Sequence, residues 1–179
     1  MTHRFTHKRK LFCFSLFTLC LLNYQNAKSQ DMKEPVAKNT LYADFASKDV
    51  YYSANLDHVF HSGKKLNWSY RVGASVLNKA VAFPLGINLF TGANASHAEF
   101  SLTLIPYIDH LGTNNTDKYL YVEPGIGYRY QQKEGGLFFK AVFTPIIFLD
   151  PPSNDFWNMD PKFYAGGNIG IGYTIPRKK

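Results

Sequence analysis

From Asn39 onward, apolar and polar residues alternate with a period of two, and no window places apolar residues at i, i+3, i+4 and i+7. Successive side chains of a β-strand point to opposite faces, so this pattern commits the chain to strands rather than helices. It predicts an all-β, eight-stranded antiparallel up-and-down barrel, with strands at about 40–46, 50–60, 65–77, 80–90, 96–107, 118–131, 136–148 and 162–175. Most of these approach or exceed the roughly 9–11 residues with which a tilted strand crosses a bilayer.

The two faces differ in kind. One carries Leu66, Trp68, Tyr70, Val72, Ala74 and Val76, then Val81, Phe83, Leu85, Ile87 and Leu89, then Ala98, Phe100, Leu102 and Leu104. It continues through Leu137, Phe139, Ala141, Phe143 and Ile147, and through Phe163, Ala165, Ile169, Ile171 and Tyr173. The other carries charges and small residues: Asn55 and Asp57, Asn67 to Ser75 at alternate positions with Arg71 among them, His97, Glu99, Ser101 and Thr103. Glu123, Gly125, Gly127 and Arg129, Lys140 and Thr144, and Gly166, Asn168, Gly170 and Gly172 complete it. A soluble barrel is apolar inside, and a transmembrane barrel inverts that arrangement. Aromatic residues near strand ends (Tyr51, Tyr52, Trp68, Tyr70, Tyr107, Tyr119, Tyr121, Tyr128, Tyr130, Tyr164 and Tyr173) fit interfacial girdles, and this favours the membrane form over a soluble sandwich.

Export is written into the first residues. A basic start and the apolar run from Leu11 to Leu22 form a secretory signal peptide over 1–29, with Ala27 and Ser29 at the −3 and −1 positions of a cut before Gln30. The run is shorter than the roughly 20 residues of a spanning helix. Leu19 precedes Cys20 where lipoprotein processing needs a small residue, so lipidation is not expected. Residues 30–38 are then a short N-terminal periplasmic segment, and 39–179 the barrel. The formal charge of +7 is largely an export tag, because Arg4, Lys8, Arg9, Lys10 and Lys28 leave with the signal and no acid does. With so small a residual balance, no nucleic-acid partner is expected. Cys13 and Cys20 also leave, which removes disulfides, Cys-ligated metals and Cys nucleophiles from the mature chain.

Two connections are long, 108–117 and 148–162, and both follow odd-numbered strands. With the termini in the periplasm they are extracellular, and an outside partner would dock there. The shorter turns, His-Ser-Gly-Lys-Lys, Thr-Gly-Ala-Asn-Ala-Ser and Gln-Lys-Glu-Gly-Gly, then face the periplasm.

Several segments resemble the small outer-membrane β-barrel proteins of Gram-negative bacteria. These are YSANLDHVF (52–60), YRVGASV (70–76), FPLGINLFTG (83–92), HAEFSL (97–102) and GYRYQQKEGGLFFKAVFTPII (127–147). In that family the second strand reads roughly Tyr-Ser-x-Asn-Tyr-Glu-Arg, and later strands carry Gly-Tyr-Arg-Tyr and Phe-Thr-Pro. The resemblance covers most of the mature chain and marks strand register rather than chemistry. It implies an eight-stranded barrel with no assigned catalytic activity, located in the outer membrane among lipid and lipopolysaccharide and inserted by the barrel-assembly machinery. Leu56, Asp57 and His58 replace the Tyr-Glu-Arg part, and the chain ends TIPRKK rather than on an aromatic residue, which leaves Tyr173 to supply an assembly signal.

One motif invites a catalytic reading. His97, Glu99 and Ser101 alternate along one strand, and lipid A deacylases that resemble this fold use His, Ser and an acid. Such groups belong at the outer leaflet, whereas His97 falls at the periplasmic end of its strand. The structural reading is that an eight-stranded lumen, only wide enough for side chains to fill, must pair its charges. Asp57, Glu99 and Glu123 then oppose Arg71, Arg129 and Lys140, three of each sign, with His97 beside them. His58 and His61 lie on opposite faces, His110 is a solvated loop residue, and the GGNIGIG run (166–172) lacks the strand-to-helix turn of a phosphate loop. No metal, cofactor or catalytic residue is expected. The expected role is structural or surface-interacting, against a lipid A-modifying enzyme or a soluble periplasmic lipid carrier.

Overall fold

The computed structural model describes residues 37–47, 50–63, 65–77, 79–92, 94–110, 116–149 and 162–176. Most of the segment assigned to signal and linker, the centre of 108–117 and nearly all of 148–162 lie outside them. The described residues form nine strand segments: β1 (Asn39–Ala46), β2 (Tyr52–Ser62), β3 (Leu66–Leu77), β4 (Ala80–Ala82), β5 (Leu85–Thr91), β6 (Ser96–Asp109), β7 (Asp117–Gln131), β8 (Gly136–Leu149) and β9 (Lys162–Thr174). Each pairs antiparallel with its neighbours, and β9 pairs with β1, which closes the sheet and leaves no open edge.

Nine segments fill eight positions because β4 and β5 both lie between β3 and β6. The expected single strand over 80–90 is therefore broken at Phe83 and Pro84, where proline supplies no N–H to the ladder. Flanking backbone bonds carry the wall across the break: Gly73 N–H donates to Pro84 O at 2.8 Å, and Phe83 N–H to Pro106 O at 3.0 Å. Pro106, Pro124 and Pro145 lie within β6, β7 and β8. Pro124 falls where the β7–β8 pairing is interrupted, between Val122↔Ile147 and Ile126↔Phe143.

Strand stagger is visible in one circuit of the outer wall. Partners run from Leu41 through Leu56, Val72, Leu85, Leu104, Val122 and Ile147 to Phe163. Leu41 itself pairs Tyr173, so the circuit arrives ten residues early along β9. That offset tilts the strands and sets the width of the barrel. Every residue on the path is apolar or aromatic, and the sequence pattern thus becomes a continuous outward belt.

Along β3, β5, β6 and β8 the expected apolar and polar faces are the observed ones, whereas a bulge between Val59 and His61 brings His61, expected opposite His58, to the same face. Leu102, Ile87 and Ile171 are each about half exposed, whereas Glu99, Arg129 and Asn67 are fully buried. Among the described residues, buried polar and charged side chains outnumber buried apolar ones nineteen to eleven. A water-soluble core has the opposite balance.

The described segments that flank the barrel wall, Ala37–Lys38 and Ile175–Pro176, share one end of the barrel with Gly63, Gly92 and the turn at 132–135. Gly92 and Gly135 adopt φ of 79° and 98° at that end, a region in which L side chains are strained. Near this end Tyr128 hydrogen-bonds Ser96 at 2.9 Å, and Gln132 donates to Tyr130 OH at 2.9 Å. The strand ends Ala46, Leu77, Asp109 and Leu149 and the strand starts Tyr52, Ala80, Asp117 and Lys162 lie at the other end.

Candidate functional site

The interior is layered. In its middle, Arg129 of β7 is fully buried and projects among residues of β2, β5, β6 and β8. Its Nη2 donates to Asp57 Oδ1 at 2.7 Å, its Nη1 to Asp57 Oδ2 at 3.3 Å and Glu99 Oε2 at 3.1 Å, and its Nε to Gln131 Oε1 at 2.8 Å. The guanidinium carbon lies 4.2 Å from the Phe90 ring centre and 5.0 Å from that of Phe138. Planarity suits arginine to this position, because one flat cation can donate at its edge to two carboxylates while apolar rings cover its faces. Ser69 and Asn88 complete the shell of Asp57 by donating to Oδ2 at 2.9 and 2.8 Å.

Beside this centre lies a second cluster. Arg71 Nη1 donates to Asp44 Oδ2 at 2.8 Å, and Lys140 Nζ lies 3.6 Å from the same oxygen and 3.8 Å from Glu99 Oε1. Lys140 also sits 5.2 Å from the Tyr42 ring centre. Glu123, on the inner face of β7, is buried and close enough to Arg71 to interact through charge. All seven residues expected in the lumen (Asp57, Arg71, His97, Glu99, Glu123, Arg129 and Lys140) are buried there. The expected balance of three acids and three bases needs correction, because Asp44 is a fourth buried acid and bridges Arg71 to Lys140. Its signal was available in the alternation Thr40-x-Tyr42-x-Asp44, opposite Leu41, Ala43 and Phe45.

Glycines make room for these side chains. A Cβ on Gly170 would lie 2.9 Å from Lys140 Cγ and 3.0 Å from Tyr42 Cδ2. A lumen filled by long cations therefore requires a wall without side chains opposite them.

His97, Glu99 and Ser101 share the inner face of β6, and this spacing places His97 and Ser101 roughly 13 Å apart along the strand. The His97 ring nitrogens meet the carbonyl oxygens of Thr91 and, at 3.4 Å, Gln131. Hydrogen-bond contact between nucleophile and base, about 2.6–3.2 Å, is not what this geometry provides. Towards the end with the termini, Gln131 Nε2 donates to Ala37 O at 3.1 Å, and Thr40 and Thr174 hydroxyls lie 3.0 Å apart.

At the opposite end Val50, Ala82 and Ile105 cluster with Tyr107 and Tyr121. The Phe148 ring lies 5.2 Å from those of both Tyr119 and Tyr121. Tyr107, Tyr119 and Tyr121 were expected in an outward girdle. They occupy the same alternate positions as Thr103 and Glu123, so they line the mouth instead. His110 and Asp109 lie at the base of this end, their side chains 3.5 Å apart, with Asp117 at 3.9 Å from His110. Among the described residues, no group of three or more His, Cys, Asp or Glu side chains is placed to hold a metal.

Compared with protein-family models, curated proteins and solved structures, the chain matches none.

Proposed function

We propose that the chain is an outer-membrane β-barrel of a Gram-negative bacterium, structural or surface-interacting in role, with a lumen filled by paired charges and no catalytic step of its own. The observation that carries this reading is the inversion of the barrel: an apolar belt outside and a charged, hydrogen-bonded network inside. Moved into water, the belt would be an exposed apolar surface extending around the whole barrel, far beyond what a soluble monomer tolerates. In hydrocarbon it is matched, and strand pairing around the closed wall satisfies backbone groups that lipid cannot.

In this reading the end with the termini faces the periplasm and the barrel is inserted by the assembly machinery. Connections 108–117 and 148–162 would then face outward among lipopolysaccharide, where an extracellular partner would meet them. Arg129, held between Phe90 and Phe138 and bonded to two acids, fills the mid-lumen and opposes a role as an open pore. The separation of His97 from Ser101 weighs against a lipid A-modifying enzyme. Charge in the interior weighs against a soluble lipid carrier, whose cavity would be apolar. The test is a detergent-solubilised outer-membrane fraction run on a gel with and without boiling. A faster-migrating unboiled band supports the reading. Recovery of the protein in the soluble periplasmic fraction, without a heat-dependent shift, overturns it.

A further inference from the structure

We propose that Ala37, just ahead of β1, is a releasable latch across one end of the lumen, and that Arg129 sets the bond that holds it. The inference rests on the barrel interior alone and is independent of the membrane assignment. On β1 the odd positions Asn39, Leu41 and Ala43 face outward, and the even positions Thr40, Tyr42 and Asp44 face inward. Ala37 breaks that parity, because it is odd and yet buried. Lys38 still follows the wall, its carbonyl accepting from Val59 N–H of β2 at 2.8 Å. One residue earlier the chain has left it: Ala37 N–H donates to Lys133 O at 3.0 Å, in the turn between β7 and β8. In the wall β9 stands between β1 and that turn, so Ala37 cuts the corner across the barrel end. Near it Thr40, Thr174 and Gln131 are fully buried, although they stand on the last rungs, which an open end would wet.

The chemistry of the catch is directional. Arginine can only donate, so Arg129 Nε takes the Gln131 amide by its oxygen, at 2.8 Å. The donor end of that amide is thereby turned to the end of the barrel, where Nε2 donates to Ala37 O at 3.1 Å and to Thr40 Oγ1 at 3.3 Å. Carbonyl, amide and guanidinium form one chain from Ala37 to Asp57 and Glu99. Two hydrogen bonds and one methyl group hold Ala37 in place, and so small a set of contacts opens locally without unfolding the wall. Seated, the latch closes the lumen at this end. Released, it admits water to Thr174 and Gln131.

The experiment reads that access. Thr174→Cys, in refolded protein whose Cys13 and Cys20 are replaced by Ser, is reacted with a charged methanethiosulfonate. Gln131→Glu keeps the oxygen that Arg129 needs and turns the donor facing Ala37 into a second acceptor. At about pH 8, where the glutamate is ionised, loss of that one hydrogen bond should speed labelling about three- to tenfold. A cysteine at Thr103, buried on the mouth side of Arg129, should keep its rate. Ala37→Glu, whose side chain exceeds the space at a buried position, should act as Gln131→Glu does. Unchanged labelling at Thr174 in both variants, or an equal rise at Thr103, overturns the proposal. Hydrogen exchange in the unsubstituted chain is the second readout, and it needs no variant to fold. The Ala37 amide should exchange by local opening, ahead of the Val59 amide that Lys38 holds. Equal protection of the two makes Ala37 part of the wall and also overturns the proposal.

Discussion

Replacing Arg129 by Met tests the centre of the lumen most sharply. Methionine keeps much of the stem between Phe90 and Phe138, with favourable sulfur contacts to the rings, so the packing loss is small. What disappears is the donor set. Asp57 Oδ1 loses its partner at 2.7 Å while Oδ2 keeps Ser69 and Asn88, and Glu99 Oε2 loses its bond at 3.1 Å. Glu99 is left with Lys140 at 3.8 Å, beyond hydrogen-bond distance. Two carboxylates at 1% and 0% exposure thus lose their principal cation, and solvent screening cannot relieve them. Breaking such a pair from one side costs about 3–5 kcal/mol. Asp57→Asn in the Arg129→Met background removes one stranded charge, and the cycle of single and double variants should show about 1–3 kcal/mol of coupling. Urea titration in lipid vesicles, followed by tryptophan fluorescence, measures all four proteins. A loss below about 1 kcal/mol for Arg129→Met, or strict additivity in the cycle, would refute the reasoning that these charges are buried and mutually dependent.

On the outer wall, Leu102→Arg should cost about 2–4 kcal/mol if the residue lies at mid-bilayer, while Ser101→Ala on the inner face costs far less; vesicle unfolding compares them. Gly127→Ala places a Cβ against the Ala141 carbonyl oxygen and should destabilise by about 1–3 kcal/mol, because backbone must yield rather than a flexible side chain. Protease added to intact cells should cut within 110–116 or 150–161, and cleavage confined to the turns at 63–65 or 132–135 means the opposite orientation.

Most of the wall was legible in the sequence because a strand's period is two and each inner residue declares the face of its neighbours. Asp57, Glu99, Arg129 and Lys140 followed from that rule directly. Asp44 obeyed it too, but the short β1 strand offered few flanking polar positions to mark its face. The division of β4 from β5 depends on Pro84, and proline signals a lost donor without saying whether the strand bends, bulges or stops. Tyr107, Tyr119 and Tyr121 illustrate a different limit: tyrosine suits both a membrane interface and a lumen mouth, and only strict parity with Thr103 and Glu123 separates the two. Which carboxylate meets which cation was legible only for Glu99 and Arg129, which lie near each other across one hairpin. Asp57 reaches Arg129 from across the lumen, a contact set by closure of the barrel rather than by local spacing.

The inverted barrel itself is tested by spin labels placed singly on β6, in protein whose two cysteines, Cys13 and Cys20, are absent or replaced by Ser. Labels at Ala98, Phe100, Leu102 and Leu104, in protein reconstituted into vesicles, should be accessible to oxygen dissolved in the lipid and shielded from a water-soluble nickel relaxant. Labels at Ser101 and Thr103 should be shielded from both. High nickel accessibility at the even positions, with no period of two in the oxygen response, would place the apolar belt in water and contradict the account.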